Sequence, residues 1–143
     1  MPFRFHDELS SADVAFEAWG ATQEELFIAS AAALLRTMVE APEEVARQVK
    51  LTFCLEDEDL DMLLWAFLQE LIFFKDAERL LFCCYELDVE QGIPAWRMHV
   101  RASGEEIDPK KHELLADVKA VSFHNFSIER TAGGWRAAVV VDV

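Results

Sequence analysis

Positive charge is scarce in this chain. Only 13 Lys and Arg stand against 27 Asp and Glu, a net charge of −14. So acidic a surface repels nucleic-acid phosphates and excludes tight direct binding of RNA or DNA as the basis of function. It leaves basic protein surfaces and metal ions as partners, or acidity that serves solubility alone. Cysteine is nearly missing too. Cys54, Cys83 and Cys84 are odd in number and two are adjacent, so they supply no disulfide framework. A zinc site would need other spacings and nearby histidines. All three lie in apolar runs, where a free thiol packs as a small hydrophobe, and a reducing cytoplasm is the expected compartment. Met1-Pro2-Phe3-Arg4 is followed by His6, Asp7 and Glu8 and not by an apolar core, so no signal peptide is expected. No charge-free stretch reaches transmembrane length. With five Gly and four Pro, the chain has no Gly-rich phosphate loop, nucleophile elbow or low-complexity linker.

What is present is a core. The 143 residues are 52% hydrophobic, with 11 Phe and 4 Trp, enough for one globular domain spanning 1–143. The most telling run is the last: Ala137-Ala138-Val139-Val140-Val141-Asp142-Val143, β-branched and apolar, reads as a buried central strand. Asp142 interrupts it, and the α-carboxylate of Val143 stands beside that side chain. Two anionic groups one residue apart at a strand end need a cation or several N–H donors.

In chain order, Phe3-Arg4-Phe5 alternates as a short strand. Glu8 to Asp13 is a polar loop that delivers Asp13 to a second strand, Val14 to Gly20. Thr22-Gln23-Glu24-Glu25 has capping-box spacing and opens a helix with Leu26, Phe27, Ala29, Ser30, Ala33, Leu34, Thr37 and Met38 on its buried face, ended near Pro42. Val49 to Leu55 alternates as a half-buried strand, with Lys50, Thr52 and Cys54 on the polar side. The acids Glu56 to Asp59 suit a helix start better than a calcium loop, which would need a Gly and a terminal Glu. The helix is expected from Asp59 to Phe74. Strands follow at Leu80–Leu87 and Ala95–Ala102, with turns at Gln91 to Pro94 and at Ser103-Gly104-Glu105-Glu106. Asp108 to His112 is a polar turn. Val118–His124 and Phe126–Arg130 are strands, and Gly133-Gly134 makes the hairpin into the closing strand. The fold class is α+β: a single domain with a mostly antiparallel sheet packed with two long helices.

With these elements in place, the chain resembles the archease family along nearly its whole length. The resemblance is carried by Ser11-Ala12-Asp13-Val14, Ala18-Trp19-Gly20, Glu24-Glu25-Leu26-Phe27, Leu63-Leu64-Trp65, Phe67-Leu68-Gln69-Glu70-Leu71 and Leu80-Leu81-Phe82. It continues through His112-Glu113, Val118 to His124, Gly133-Gly134-Trp135-Arg136 and Val141-Asp142-Val143. The resemblance implies an accessory protein of an RtcB-type, GTP-dependent RNA ligase, one that promotes guanylylation and repeated turnover without carrying the ligation chemistry. It implies a divalent-metal site at Asp13, Asp142 and the chain end at Val143, with Lys119 and His124 in support. Hard oxygen ligands favour calcium, magnesium or manganese. Where the family pattern reads His-Thr-Ala-Asp, this chain has Ser10-Ser11-Ala12-Asp13, so a hydroxyl replaces an imidazole.

Each of these residues also has a plainer role open to it. Asp13 suits a turn, Lys119 an edge-strand guard, and His112 and His124 the surface or a satisfied structural position. The resemblance leaves a second class open, a chaperone or modulator of a tRNA-modifying enzyme such as a tRNA methyltransferase. A small metal-dependent hydrolase is the third, and the sequence offers it no clear nucleophile or oxyanion donors.

Overall fold

The computed structural model describes residues 2–6 and 13–143. Strands and helices follow in the order β1 (Phe3–Phe5), β2 (Asp13–Gly20), α1 (Gln23–Met38), β3 (Val49–Asp57), α2 (Leu60–Glu78), β4 (Leu80–Gln91), β5 (Trp96–Glu106), β6 (Ala120–Val121), β7 (Ser127–Thr131) and β8 (Gly134–Asp142), with a 3₁₀ turn at Pro42–Glu44. Every strand pairing described is antiparallel. The strands form two sheets, one of five in the order β1-β2-β8-β6 with β7 also on β8, and one of three in the order β3-β5-β4. Both helices lie between them: α1 packs on β2 and β8 of one sheet and β4 of the other, and α2 on β3, β4, β5, β6 and β7.

Local chemistry explains the helices. The Thr22 hydroxyl accepts from Glu25 N–H at 3.1 Å, and the Glu25 carboxylate accepts from Thr22 N–H at 3.0 Å, so the capping box is complete. Because α1 is clasped by two sheets, Ala31 and Leu35 are buried along with the expected face. The second helix runs one turn past Phe74, to Glu78, and stops where Arg79 adopts the left-handed conformation at φ 55°. Of the four acids before it, Glu56 and Asp57 still belong to β3, and Asp59 is the N-cap.

Three other expectations need correction. Ser103 to Glu106 is no turn but the end of β5, which runs on beside β4. The register slips between Phe82 and Cys84, and at that bulge the backbones come so close that a Cβ on Gly104 would overlap the carbonyl of Leu81 and lie 2.7 Å from Phe82 Cα. Cys54 is exposed, because it sits on the polar side of β3. The strand expected over 118–124 shrinks to Ala120–Val121; the chain then turns through Phe123 to Asn125, whose φ is 60°. Lys119 lies before the two-residue strand and is exposed although Val121 is buried, so the rule that alternate residues share a face places neither Lys119 nor His124.

A buried polar cluster ties the end of β5 to the loop after it. Glu105, 6% exposed, accepts from Lys111 Nζ at 2.7 Å, from Ala46 N–H at 2.9 Å and from His112 Nε2 at 2.7 Å. His112 Nδ1 accepts the Asp108 N–H at 3.0 Å, which fixes the proton on Nε2. His112 is therefore a satisfied structural histidine, 2% exposed. The Lys111 ammonium foremost, then the Ala46 N–H, hold the Glu105 carboxyl down at about 2, against an ordinary 4.5. A carboxylate held low stabilises the fold fully above its unfolded pKa and less as the pH falls through the folded one. Acid unfolding followed by circular dichroism should therefore show lost stability between about pH 4.5 and 2. Glu105→Gln should flatten that limb.

Candidate functional site

Strand register brings together two acids from opposite ends of the chain. Asp13, the first residue of β2, pairs directly with Asp142, the last of β8. Residues facing each other in an antiparallel pair have Cβ atoms about 5 Å apart and point to the same side. That side is the one turned away from the helices, since Val14, Phe16 and Ala18 alternate inward with Val141, Val139 and Ala137. On the far side of Asp142 stands Ala120 of β6, too small to cover either carboxylate. Asp142 is exposed, Asp13 half-buried and Val143 half-buried. The main chain continues one residue past Asp142 to Val143, opposite Lys119 if the β6 register is extended.

Lys119 is exposed and donates its backbone N–H to the Asp142 carbonyl at 2.8 Å. His124 is exposed in the turn beyond, with its backbone N–H held by Ser122 Oγ at 3.0 Å. The structure thus brings Asp13, Asp142 and the Lys119 backbone to one corner, and sets His124 on the loop next to it. Among the described residues, no three His, Cys, Asp or Glu side chains converge as a metal cluster. The two aspartates offer hard anionic oxygens, the donor type suited to calcium, magnesium or manganese and not to zinc. Ser10 and Ser11, which stand where the family pattern has His-Thr, lie outside the described residues.

The sequence reading missed what holds this corner in place. The β6 strand is only two residues long, and its outer edge is finished by side chains of α2. Gln69 Oε1 accepts the Val121 N–H at 2.5 Å, and Trp65 Nε1 donates to the Val121 carbonyl at 3.0 Å. Two helix residues four apart thus satisfy both backbone groups that the strand leaves unpaired. One face of Trp65 also stacks on Phe123, with centroids 4.4 Å apart. Two turns along, the Lys75 side chain, 7% exposed, donates to Asp117, to Asp76 at 2.7 Å and to the Val118 carbonyl at 2.9 Å. Burial alone would pull the Lys75 ammonium down, but its hydrogen bonds to Asp117 and Asp76 outweigh it, and its pKa is raised. The signal in the sequence was Gln69 and Lys75, polar residues set among the helix's apolar ones. Gln69→Ala should leave the Val121 N–H bare and lower stability by about 1–2 kcal/mol in urea titration. Hydrogen exchange should show the loosening confined to residues 117–123.

On the same outer face, further from the corner, Glu17 is ringed by basic side chains. Arg4 lies at 2.6 Å, His6 at 3.5 Å and Arg136 at 3.8 Å, and Arg136 also reaches Glu129 at 2.6 Å. The Arg4 hydrogen bond, working against burial, holds the Glu17 carboxyl below its usual range. Arg4 and Arg136 are thus engaged with Glu17 and Glu129.

Comparison with known proteins adds the lineage. The sequence profile of the Archease protein family matches residues 3–143. The chain is 37% identical over 134 residues to "Protein archease" of Pyrococcus furiosus, covering 93% of this chain and 94% of that one. The solution structure of Methanobacterium thermoautotrophicum protein 1598 superposes with a TM-score of 0.85 at 32% identity, covering 99% of both chains. The crystal structure of an archease described as a possible chaperone, from Thermotoga maritima, shares the fold with a TM-score of 0.59 at 16% identity, covering 94% of this chain and 93% of that one.

Proposed function

The chain belongs to the archease family, and from that premise we propose that it is a non-catalytic accessory protein that activates an RtcB-type, GTP-dependent RNA ligase. In this reading it promotes guanylylation of the ligase and its repeated turnover in tRNA splicing or RNA repair. The observation that carries it is the register pairing of Asp13 with Asp142 at an exposed corner. Asp13, Asp142 and the Val143 carboxylate would hold a divalent cation, calcium, magnesium or manganese, with waters and backbone carbonyls as the remaining ligands. Such a cation would supply positive charge at the face offered to the partner. The protein's own residues do the rest: β2 and β8 fix the spacing of the two acids, α2 fixes the neighbouring 117–121 segment, and Lys119 and His124 stand exposed beside it. The net charge of −14 fits a protein that acts on the ligase and not on its RNA.

The test is RNA ligation by the cognate ligase under single-turnover and multiple-turnover conditions, with and without this protein. Stimulation of multiple turnover supports the reading; no stimulation of either rate sinks it. Lys119→Ala should lower stimulation with little change in melting temperature, because the part of Lys119 that the sheet uses is its backbone N–H. An unfolded variant would mark Lys119 as structural. A second reading, chaperone or modulator of a tRNA methyltransferase, draws on the word used of the Thermotoga maritima protein and on the exposed Phe73, Leu114, Leu115 and Phe123. Protection of the methyltransferase from aggregation, without any effect on ligation, would favour it.

A further inference from the structure

The three-stranded sheet has a second face, and its chemistry is unlike that of the acid corner. Met98, Val100 and Ala102 of β5 point to the core, so Arg97, His99 and Arg101 point away from the helices. Cross-strand register sorts this outer face into rows. Cys54, His99 and Asp88 form one row; Thr52, Arg101 and Glu86 the next; Glu56, Arg97 and Glu90 the row on the other side. In the first row the Cys54 sulfur lies 3.1 Å from His99 Nδ1, and the Cys54 thiol is exposed. Asp88 stands opposite His99 in the strand register, and a thiol and an imidazole in hydrogen-bond contact form a nucleophile–base pair. Here it is open to solvent.

A second observation points to what would meet it. In the Thr52 row, Arg101 joins Arg47 and Lys50 around a cavity of about 450 Å³, where Glu86 is the one acid in the lining and Cys84 borders it as well. In a chain with twice as many acids as bases, this cavity has the opposite sign. Residues two apart on a strand lie about 7 Å apart. A molecule whose carboxylates sit in the cavity therefore reaches Cys54 with its middle. The other charged groups facing the row are Glu56 and Arg97, paired with each other at 3.6 Å, and Glu86 and Arg101, paired at 3.9 Å, with Glu90 beyond.

We propose that Cys54 is a site of reversible S-thiolation, a thiol assisted by His99 that exchanges with small anionic disulfides. His99 Nδ1 takes the proton of Cys54, and the sulfur attacks one sulfur of the incoming disulfide. The S–S bond of the reagent breaks, a new one forms to Cys54, and the departing thiolate takes the proton back from His99. One Cys thiol and one disulfide become one mixed disulfide and one free thiol, so the external disulfide is the oxidant and no other is needed. The remaining two cysteines are less open to attack, Cys84 included although it borders the same cavity. Cys83 and Cys84 are half-buried with sulfurs 3.3 Å apart, and burial first, then the neighbouring Cys84, pushes the Cys83 thiol up to about 11. This site is independent of the ligase reading, since it lies on the other sheet.

The experiment is to incubate the full chain with glutathione disulfide between pH 6 and 9, quench, and follow each cysteine by peptide mass spectrometry. At pH 7, Cys54 should react at least about tenfold faster than Cys83, whose thiol is pushed up to about 11, and measurably faster than Cys84. The adduct should come off with dithiothreitol. His99→Ala and His99→Gln should each slow Cys54 about tenfold at pH 7, and much less near pH 9, where an ordinary thiol ionises unaided. Arg101→Ala should slow reaction with glutathione disulfide but not with the cationic disulfide cystamine. A Cys54 no faster than Cys84 in the parent protein overturns the proposal, and so does a rate at pH 7 indifferent to both His99 substitutions. Equal slowing with both disulfides in the Arg101 variant overturns the anionic preference.

Discussion

Asp142→Asn and Asp13→Asn are each expected to weaken calcium or manganese binding by at least ~10–100-fold, the loss seen even for outer-shell partners of metal ligands. Each removes a full negative charge while keeping the size of the side chain and its place on the strand. Neither acid supports a core: Asp142 is exposed and Asp13 half-buried at the start of β2. The variants should therefore stay folded, and titration calorimetry on the folded proteins reads the loss directly. Ligase stimulation should fall in parallel. A peptide extension beyond Val143 removes no side chain, yet it converts that carboxylate to a neutral amide and should weaken binding as well. A further signature is linkage. A cation that binds only the folded chain stabilises it by about 2.7 kcal/mol at a hundred times its dissociation constant. The melting temperature of the parent should rise with added calcium or manganese, and that of Asp142→Asn should not. Metal binding undiminished in both Asn variants would place the site elsewhere.

The second large effect lies far from that corner, at Gly104. Its Cα side faces the β4 backbone at the bulge, where Leu81 and Phe82 leave no room for a methyl group. The obstructing atoms are main chain and cannot rotate away as a side-chain tip could. Gly104→Ala must push β4 and β5 apart in the middle of the three-stranded sheet. The expected destabilisation is about 3 kcal/mol or more, the upper end of ordinary overpacking. In thermal melts this corresponds to a drop of roughly 10 °C for a chain of this size. A variant melting within a couple of degrees of the parent would show that the bulge relaxes freely. Metal binding by the surviving folded fraction should be unchanged, since β2 and β8 are not touched.

Local patterns made most of the fold legible in advance. The Thr22 capping box, the alternation of Val49 to Leu55 and the apolar run at Val139 to Val141 each translated directly into an element. The pairing of Asp13 with Asp142 could be expected only through resemblance, because two residues so distant in sequence meet solely through register. What stayed hidden was of two kinds. Gly104 looked like a turn glycine, because the close approach that demands it comes from Leu81 on another strand. Likewise the 118–124 segment alternates like a strand, yet only two residues pair. The ladder is short because β8 ends at Asp142, and from Phe123 onward stacking on Trp65 takes over. Trp65 and Gln69 read as ordinary members of an apolar helix, since their hydrogen bonds go to a backbone more than fifty residues away.

The central place of β8 has a consequence for how the molecule comes into being. Strands β2, β6 and β7 all pair with β8, and β6 and β7 have no other strand neighbour among the described residues. Residues 134–142 are also synthesised after every other strand. A chain emerging from the ribosome can assemble β3, β4, β5 and both helices once Glu106 is out, but β1 and β2 must wait as a two-stranded pair backed by α1 alone. Such a pair is marginal alone in water. The nascent protein thus carries one finished layer and one open layer, in which the side of α1 that packs on β8 has nothing to cover it until that strand arrives. Asp13 is made early and waits for Asp142, so the acid corner appears only once β8 is in place.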